Sequence, residues 1–192
     1  GKENKASGTT TWTEKSHTYG KVSVPVIPGY YADKTEAGGK TVTPENPEAT
    51  DTVTYKPLGN LVPKPERPND PNFPSTPEVK YPNDPTDPGK PGKPVVPNVP
   101  GYKPYLPDPK DPSKPGQPVE PGKPITPENP GEDTPIIYVP IVNDVKKPTK
   151  QTVKFEGAGD KTPADNVQDD FTFTGKENKA SGTTTWTEKS HT

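Results

Sequence analysis

The chain of 192 residues holds 32 prolines and 17 glycines, about a quarter of its length, with a formal net charge of −2 and no cysteine. The missing cysteine excludes disulfides, thiolate metal sites and cysteine nucleophiles, and the interspersed acids and bases leave no basic stripe for nucleic acid. No apolar run reaches the length of a membrane span or signal h-region, so no membrane insertion is expected, and Leu, Ile, Val and Phe are too few for one large core.

The expectation is a mainly β, elongated chain of two small β-rich modules with Pro-rich turns and linkers. Period-two alternation dominates, and helical periodicity is nearly absent. Taken in order, Thr9–Thr13, Val22–Val26 and Thr52–Tyr55 read as strands. Pro82–Pro94 reads as turns and polyproline spacing, its Asn-Asp-Pro and Thr-Asp-Pro steps forming Asx-Pro turns. Ile136-Ile137-Tyr138 is an apolar strand. Gln151–Phe155 and Asp170–Thr174 read as a hairpin with a long connection, Gly157–Lys161 supplying its turn. Pro25, Pro63, Pro97 and Pro135 cannot donate to a ladder, which places them at edges or strand ends.

Repeats set the organisation. Residues 1–18 and 175–192 both read GKENKASGTTTWTEKSHT, which implies a tandem period of 174 residues, the distance from Gly1 to Gly175. A diverged repeat lies within the period. Val24-Pro25-Val26-Ile27-Pro28-Gly29-Tyr30 matches Val96-Pro97-Asn98-Val99-Pro100-Gly101-Tyr102, and Gly39–Pro47 matches Gly122–Pro130. Thr52–Pro57 matches Pro135–Pro140, and the second copy carries about eleven extra residues, mostly in a Pro-rich loop near Lys103–Pro121. The expected division is a complete Pro-rich β module at 58–144 and a second module split into a front half at 145–192 and a back half at 1–57. Neither end carries a sorting signal, so the sequence reads as a middle slice of a longer secreted array.

These blocks, with the Asp108–Pro115 string and the Thr185-Trp186-Thr187-Glu188 stretch, resemble the mucus-binding repeats of lactobacillal cell-surface adhesins. The resemblance implies at least one module similar to the ubiquitin-like β-grasp. It also implies anchoring to a Gram-positive cell wall through a signal outside this chain, and cell adhesion through host mucin glycoproteins or their glycans. The competing reading is a structural stalk that projects another adhesive domain. No enzyme activity, cofactor or metal is expected: His17 and His191 are one repeat position without a catalytic neighbour, and EF-hand spacing is absent.

Aromatic side chains are the natural platforms for sugar rings. Tyr30 and Tyr102, kept in both copies, read as packing anchors, and Trp12 and Trp186 read as core more than platform. Tyr31 and Tyr105, together with Lys103, are the candidate glycan-binding residues. Lys34, Lys40 and Lys110 could join Lys103 in meeting acidic glycans. Because the split module lies at opposite ends of the chain, head-to-tail or strand-exchanged self-association is a further expectation.

Overall fold

The computed structural model describes all residues 1–192, and its regular structure is almost wholly short strands. In chain order they are β1 (Lys2–Asn4), β2 (Thr9–Thr11), β3 (His17–Thr18), β4 (Lys21–Ser23), β5 (Tyr30–Ala32) and β6 (Glu36–Gly38). Then come β7 (Thr41–Val42), β8 (Tyr55–Pro57), β9 (Asn60–Pro65), β10 (Val79–Lys80), β11 (Tyr102–Pro107) and β12 (Pro115–Pro118). The last six are β13 (Thr134–Pro140), β14 (Val142–Pro148), β15 (Gln151–Val153), β16 (Asn166–Gln168), β17 (Thr172–Asn178) and β18 (Thr183–Trp186). The mainly β reading holds. A ubiquitin-like β-grasp lays a helix across its sheet, and here the only helical piece is a single 3-10 turn at Gly159–Lys161. Proline breaks the middle of the chain, and the proline-free stretches at 1–24 and 164–192 are rich in Thr, Gly and Asn, poor helix formers without an apolar period of 3.6, so they form strands and turns instead.

The chain divides into two compact units. Unit 1 comprises residues 1–62, 77–96 and 122–135. Four two-stranded sheets lie in it, β1 with β2, β3 with β7, β4 with β6 and β5 with β8, and β10 pairs with the start of β9. Its buried side chains are Val24, Ala32, Leu58, Leu61, Tyr81 and Val96. The Tyr81 hydroxyl donates to the Glu132 carbonyl at 2.6 Å and lies 2.6 Å from Thr134 Oγ1, so its burial leaves no polar atom unpaired. Asn83 Nδ2 donates to the carbonyls of Ile27 and Tyr30, while its Oδ1 accepts from Gly29 N–H at 2.8 Å. One amide thus satisfies three backbone groups of a proline-interrupted loop.

Unit 2 comprises residues 63–76, 97–121 and 136–192. It holds the ladder β13–β11–β12, the three-stranded sheet β14–β17–β18 and the pair β15–β16. The extra Pro-rich residues of the second copy, read from sequence as a loop, form the β11–β12 hairpin, closed by an Asp108–Lys114 turn. Proline is tolerated inside this ladder for a directional reason. The Pro104 carbonyl accepts from Val119 N–H on the β12 side, so its missing N–H also faces that irregular strand. The β11–β13 register from Tyr102↔Pro140 to Tyr105↔Ile137 is left intact.

The internal repeat is a repeat of structure. Gly29 and Gly101 share a φ of 84°, a left-handed conformation that glycine adopts without strain. Tyr30 N–H bonds Ile27 O, and Tyr102 N–H bonds Val99 O, both at 3.1 Å. Tyr30 then pairs with Pro57, and Tyr102 with Pro140. The Tyr55 hydroxyl donates to the Pro25 carbonyl at 2.7 Å, and its counterpart Tyr138 donates to the Pro97 carbonyl at 2.5 Å.

The copies differ in what covers them. Phe73 sets its ring edge-on to Tyr102 at 5.3 Å and lies 5.6 Å from Tyr138, while Asp70 accepts from the Tyr102 hydroxyl at 2.8 Å. Tyr102 is accordingly 3 % exposed and Tyr138 fully buried, as packing anchors should be, whereas Tyr30 is 44 % exposed. The anchor reading therefore holds for Tyr102 and fails for Tyr30.

The two clasps should differ in strength. Tyr138→Phe strands a part-buried carbonyl and should cost about 1–2 kcal/mol, while Tyr55→Phe, near water, should cost under about 1 kcal/mol, as read by urea unfolding. Burial raises the Tyr138 phenol to about 12, and burial followed by the Asp70 contact raises Tyr102 to about 12. Unfolded tyrosines ionise near 10, so these two groups leave stability unchanged below that pH and lower it between about 10 and 12. Unfolding midpoints across that window check this, and Tyr138→Phe should flatten the decline.

Candidate functional site

The duplicated segment folds the same way twice. In residues 1–18 the register is Lys2↔Thr11, Glu3↔Thr10, Asn4↔Thr9, and in the second copy Lys176↔Thr185, Glu177↔Thr184, Asn178↔Thr183. Both turns are held by an asparagine. Asn4 Oδ1 accepts from Ala6 and Ser7 N–H, as Asn178 Oδ1 does from Ala180 and Ser181. Gly8 and Gly182 close them at φ of 71° and 72°. A tryptophan lies over a glycine in each: a Cβ on Gly1 would sit 2.8 Å from Trp12 Cε3, and one on Gly175 would sit 2.8 Å from Trp186 Cε3. The absent side chain opens the slot in which the indole rests.

The surroundings separate the copies. β17 carries β14 on its other edge, with Val145↔Gly175, Lys147↔Phe173 and Pro148↔Thr172 in register. Residues directly opposite share a face, which brings Lys147, Phe173, Val145 and Trp186 to one side of the sheet. There a cleft of about 290 Å³ is lined by Lys147, Pro148, Thr149, Phe173, Trp186, Glu188 and Lys189. Phe173 and Trp186 approach edge to face at 6.3 Å; Phe171 meets Phe173 edge-on at 4.9 Å, and His191 stacks on Phe171 at 3.8 Å. Thr149 fixes the cleft's lip, its N–H and hydroxyl both donating to the Phe171 carbonyl. β1, by contrast, pairs with β2 alone, and Trp12 is 52 % exposed.

The hairpin read from sequence is partly corrected. Gln151–Val153 pairs with Asn166–Gln168, and the Phe173 strand pairs with Lys146–Pro148 and the residues before it. Between the two ladders two residues, Thr149 and Lys150, face three, Asp169–Phe171, so the register slips by one. Such a bulge re-aims side chains, and it falls beside the cleft.

The sequence-derived candidates lie elsewhere. Lys103 and Tyr105 alternate along β11 in unit 2, and the Lys103 ammonium sits 5.6 Å over the Tyr105 ring. Tyr31 lies on β5 in unit 1 opposite Lys56, its hydroxyl 2.7 Å from where a Gly131 Cβ would stand. Lys34 is committed, donating to Asp51 at 2.6 Å while the other Asp51 oxygen accepts Gly38 N–H at 2.7 Å. These bonds hold the Asp51 carboxyl below its ordinary range. The aspartates of the proline turns act as the Asx reading expects. Asp84 accepts from Thr86 N–H and hydroxyl, Asp111 from those of Ser113, and Asp108 from Lys110 N–H.

A strand tryptophan among threonines reads as core from sequence, so alternation alone does not point to the Phe173–Trp186 cleft. The overlooked signal is Gly175 between Phe173 and Glu177, a gap in the alternating face that only a neighbouring ring fills. The environments should be separable in solution. With Trp12 replaced by Phe, acrylamide quenching of Trp186 should be distinctly shallower than quenching of Trp12 in a Trp186→Phe chain; equal slopes would contradict the half-buried indole.

No curated protein and no solved structure matches the chain. Residues 2–59 do match the family model of the Muc B2-like domain, so this stretch is similar to the mucus-binding type of repeat domain.

Proposed function

We propose that the chain is a repeat unit of a bacterial cell-surface adhesin that grips host mucin glycans without chemically altering them. The observation that carries the reading is the Muc B2-like match at residues 2–59 in a chain that repeats its own sequence and internal fold. An open aromatic cleft with charged walls is a second support, because sugar recognition needs a flat apolar face beside polar groups. Tandem repetition suits weak sites, since linked copies raise one another's effective concentration. The proposal includes cell-wall display through a signal outside this chain.

Titration against intact mucin, with enzymatically deglycosylated mucin as control, tests the reading. Saturable binding lost on deglycosylation is expected. Absence of binding at millimolar sites would leave the stalk role, which the proline density and the identical repeats also suit.

The reading extends to contacts between copies. The β1 edge that corresponds to the β14-paired edge of β17 has no strand on it, although the sequence is identical. By strand exchange, residues Val142–Val145 released from β17 of a second molecule would fill it, Val142 opposite Asn4 and Val145 opposite Gly1, by analogy with their pairing to Asn178 and Gly175. Light scattering should show mass rising with concentration; a constant monomer mass to the highest concentration would remove this element.

A further inference from the structure

Lys147, Lys189 and Glu188 line the cleft, yet none of the three is engaged in an ion pair or side-chain hydrogen bond. Two other lysines of the hairpin are paired, Lys176 with Asp144 at 2.5 Å and Lys179 with Glu177 at 2.8 Å. The cleft therefore combines two rings with an uncompensated excess of one positive charge.

We infer that the Phe173–Trp186 cleft is a glycan-binding site for a single pyranose ring bearing an anionic substituent, carboxylate or sulfate. The inference rests on the glycan-binding reading above and names its site. Three features carry it. The volume of about 290 Å³ lies at the lower limit for ligand pockets, room for one ring and little more. Trp186 is seated in the Gly175 slot and Phe173 is braced by Phe171, so the aromatic walls stand in place before a ligand arrives. The lysines stand on either side of the rings, Lys147 directly opposite Phe173 on β14 and Lys189 just beyond β18. A sugar stacked on the indole thus presents an equatorial acid to one ammonium, while Glu188 accepts from its hydroxyls.

The chain contains its own control. Trp12 has the same neighbours in sequence, including Glu14 and Lys15, and the same glycine beneath it, yet has no ring contact and no strand in the place of β14. Only Trp186 should respond to a sugar.

These are the two tryptophans of the chain, so intrinsic fluorescence resolves them. The Trp12→Phe chain would be titrated with methyl galactoside, its 6-sulfate and methyl galacturonide, and the Trp186→Phe chain with the same three. Saturable change is expected in the first alone, with both acidic sugars binding roughly three- to tenfold tighter than the neutral one and losing that margin above about 0.5 M salt. A carboxylate and a sulfate that differ strongly would assign the ligand's acid. Lys147→Gln with Lys189→Gln keeps the aromatic walls and should abolish the preference for acid, bringing the three sugars to one affinity; a preference that survives would overturn the role of the lysines. Trp186→Ala should weaken mucin binding by roughly tenfold or more, and Trp12→Ala should leave it unchanged. Mucin binding that is equal in wild type and Trp186→Ala would overturn the cleft while leaving the adhesin reading in place. A wild type that binds neither mucin nor sugar would remove both.

Discussion

Each internal copy closes on one hydrogen bond, from a tyrosine hydroxyl on the last strand to the carbonyl of the first proline in the Val-Pro turn. The interaction is required by composition. Proline-rich turns expose carbonyls and supply few donors, so a buried turn of this kind needs a donor from outside its own backbone. Tyr138 brings that donor to Pro97 on a side chain whose ring also fills the core, joining polar satisfaction and apolar burial in one residue. The bond fixes where the closing strand lies against the turn, and hence the register of β13 on β11. In the first copy Tyr55 makes the same bond to Pro25 with less cover, so the clasp is the element both copies share and burial is what differs.

A chain poor in aliphatic side chains leaves most of its strands short and exposed. Stability then falls to backbone ladders, Asx turns and a few aromatic contacts. The arrangement leaves aromatic surface uncovered at several places, and in most enzymes or globular domains that would be a liability. Under the adhesin proposal, that surface is what meets the ligand. The row from His191 through Phe171 and Phe173 to Trp186 lies in unit 2 on a sheet whose opposite face mixes threonines with Lys146 and the Lys176–Asp144 pair. Its shape depends on a one-residue bulge and a glycine gap, two irregularities in an otherwise alternating pattern.

The twin hairpins separate local from tertiary control. Identical residues give identical turns, registers and indole-over-glycine packing, so these are properties of the eighteen residues themselves. Exposure of the indole, ring contacts and membership of a cleft differ, because they depend on β14 and on the phenylalanines preceding Gly175.

Strand content, absence of long helices, the internal sequence repeats and the Asx-Pro turns were legible in the amino-acid order, since each follows from local backbone preference or from direct self-comparison. The pairing of Phe173 with Lys147, the slip at Asp169–Phe171, the hairpin within the extra Pro-rich residues and the divergent fates of Tyr30 and Tyr102 were not. Alternation tells which side chains share a face; it does not say which distant backbone supplies the hydrogen bonds, nor what will lie on top. Phe73 covering Tyr102, and nothing equivalent covering Tyr30, is a decision made by chain segments far apart in sequence, and only their packing reveals it.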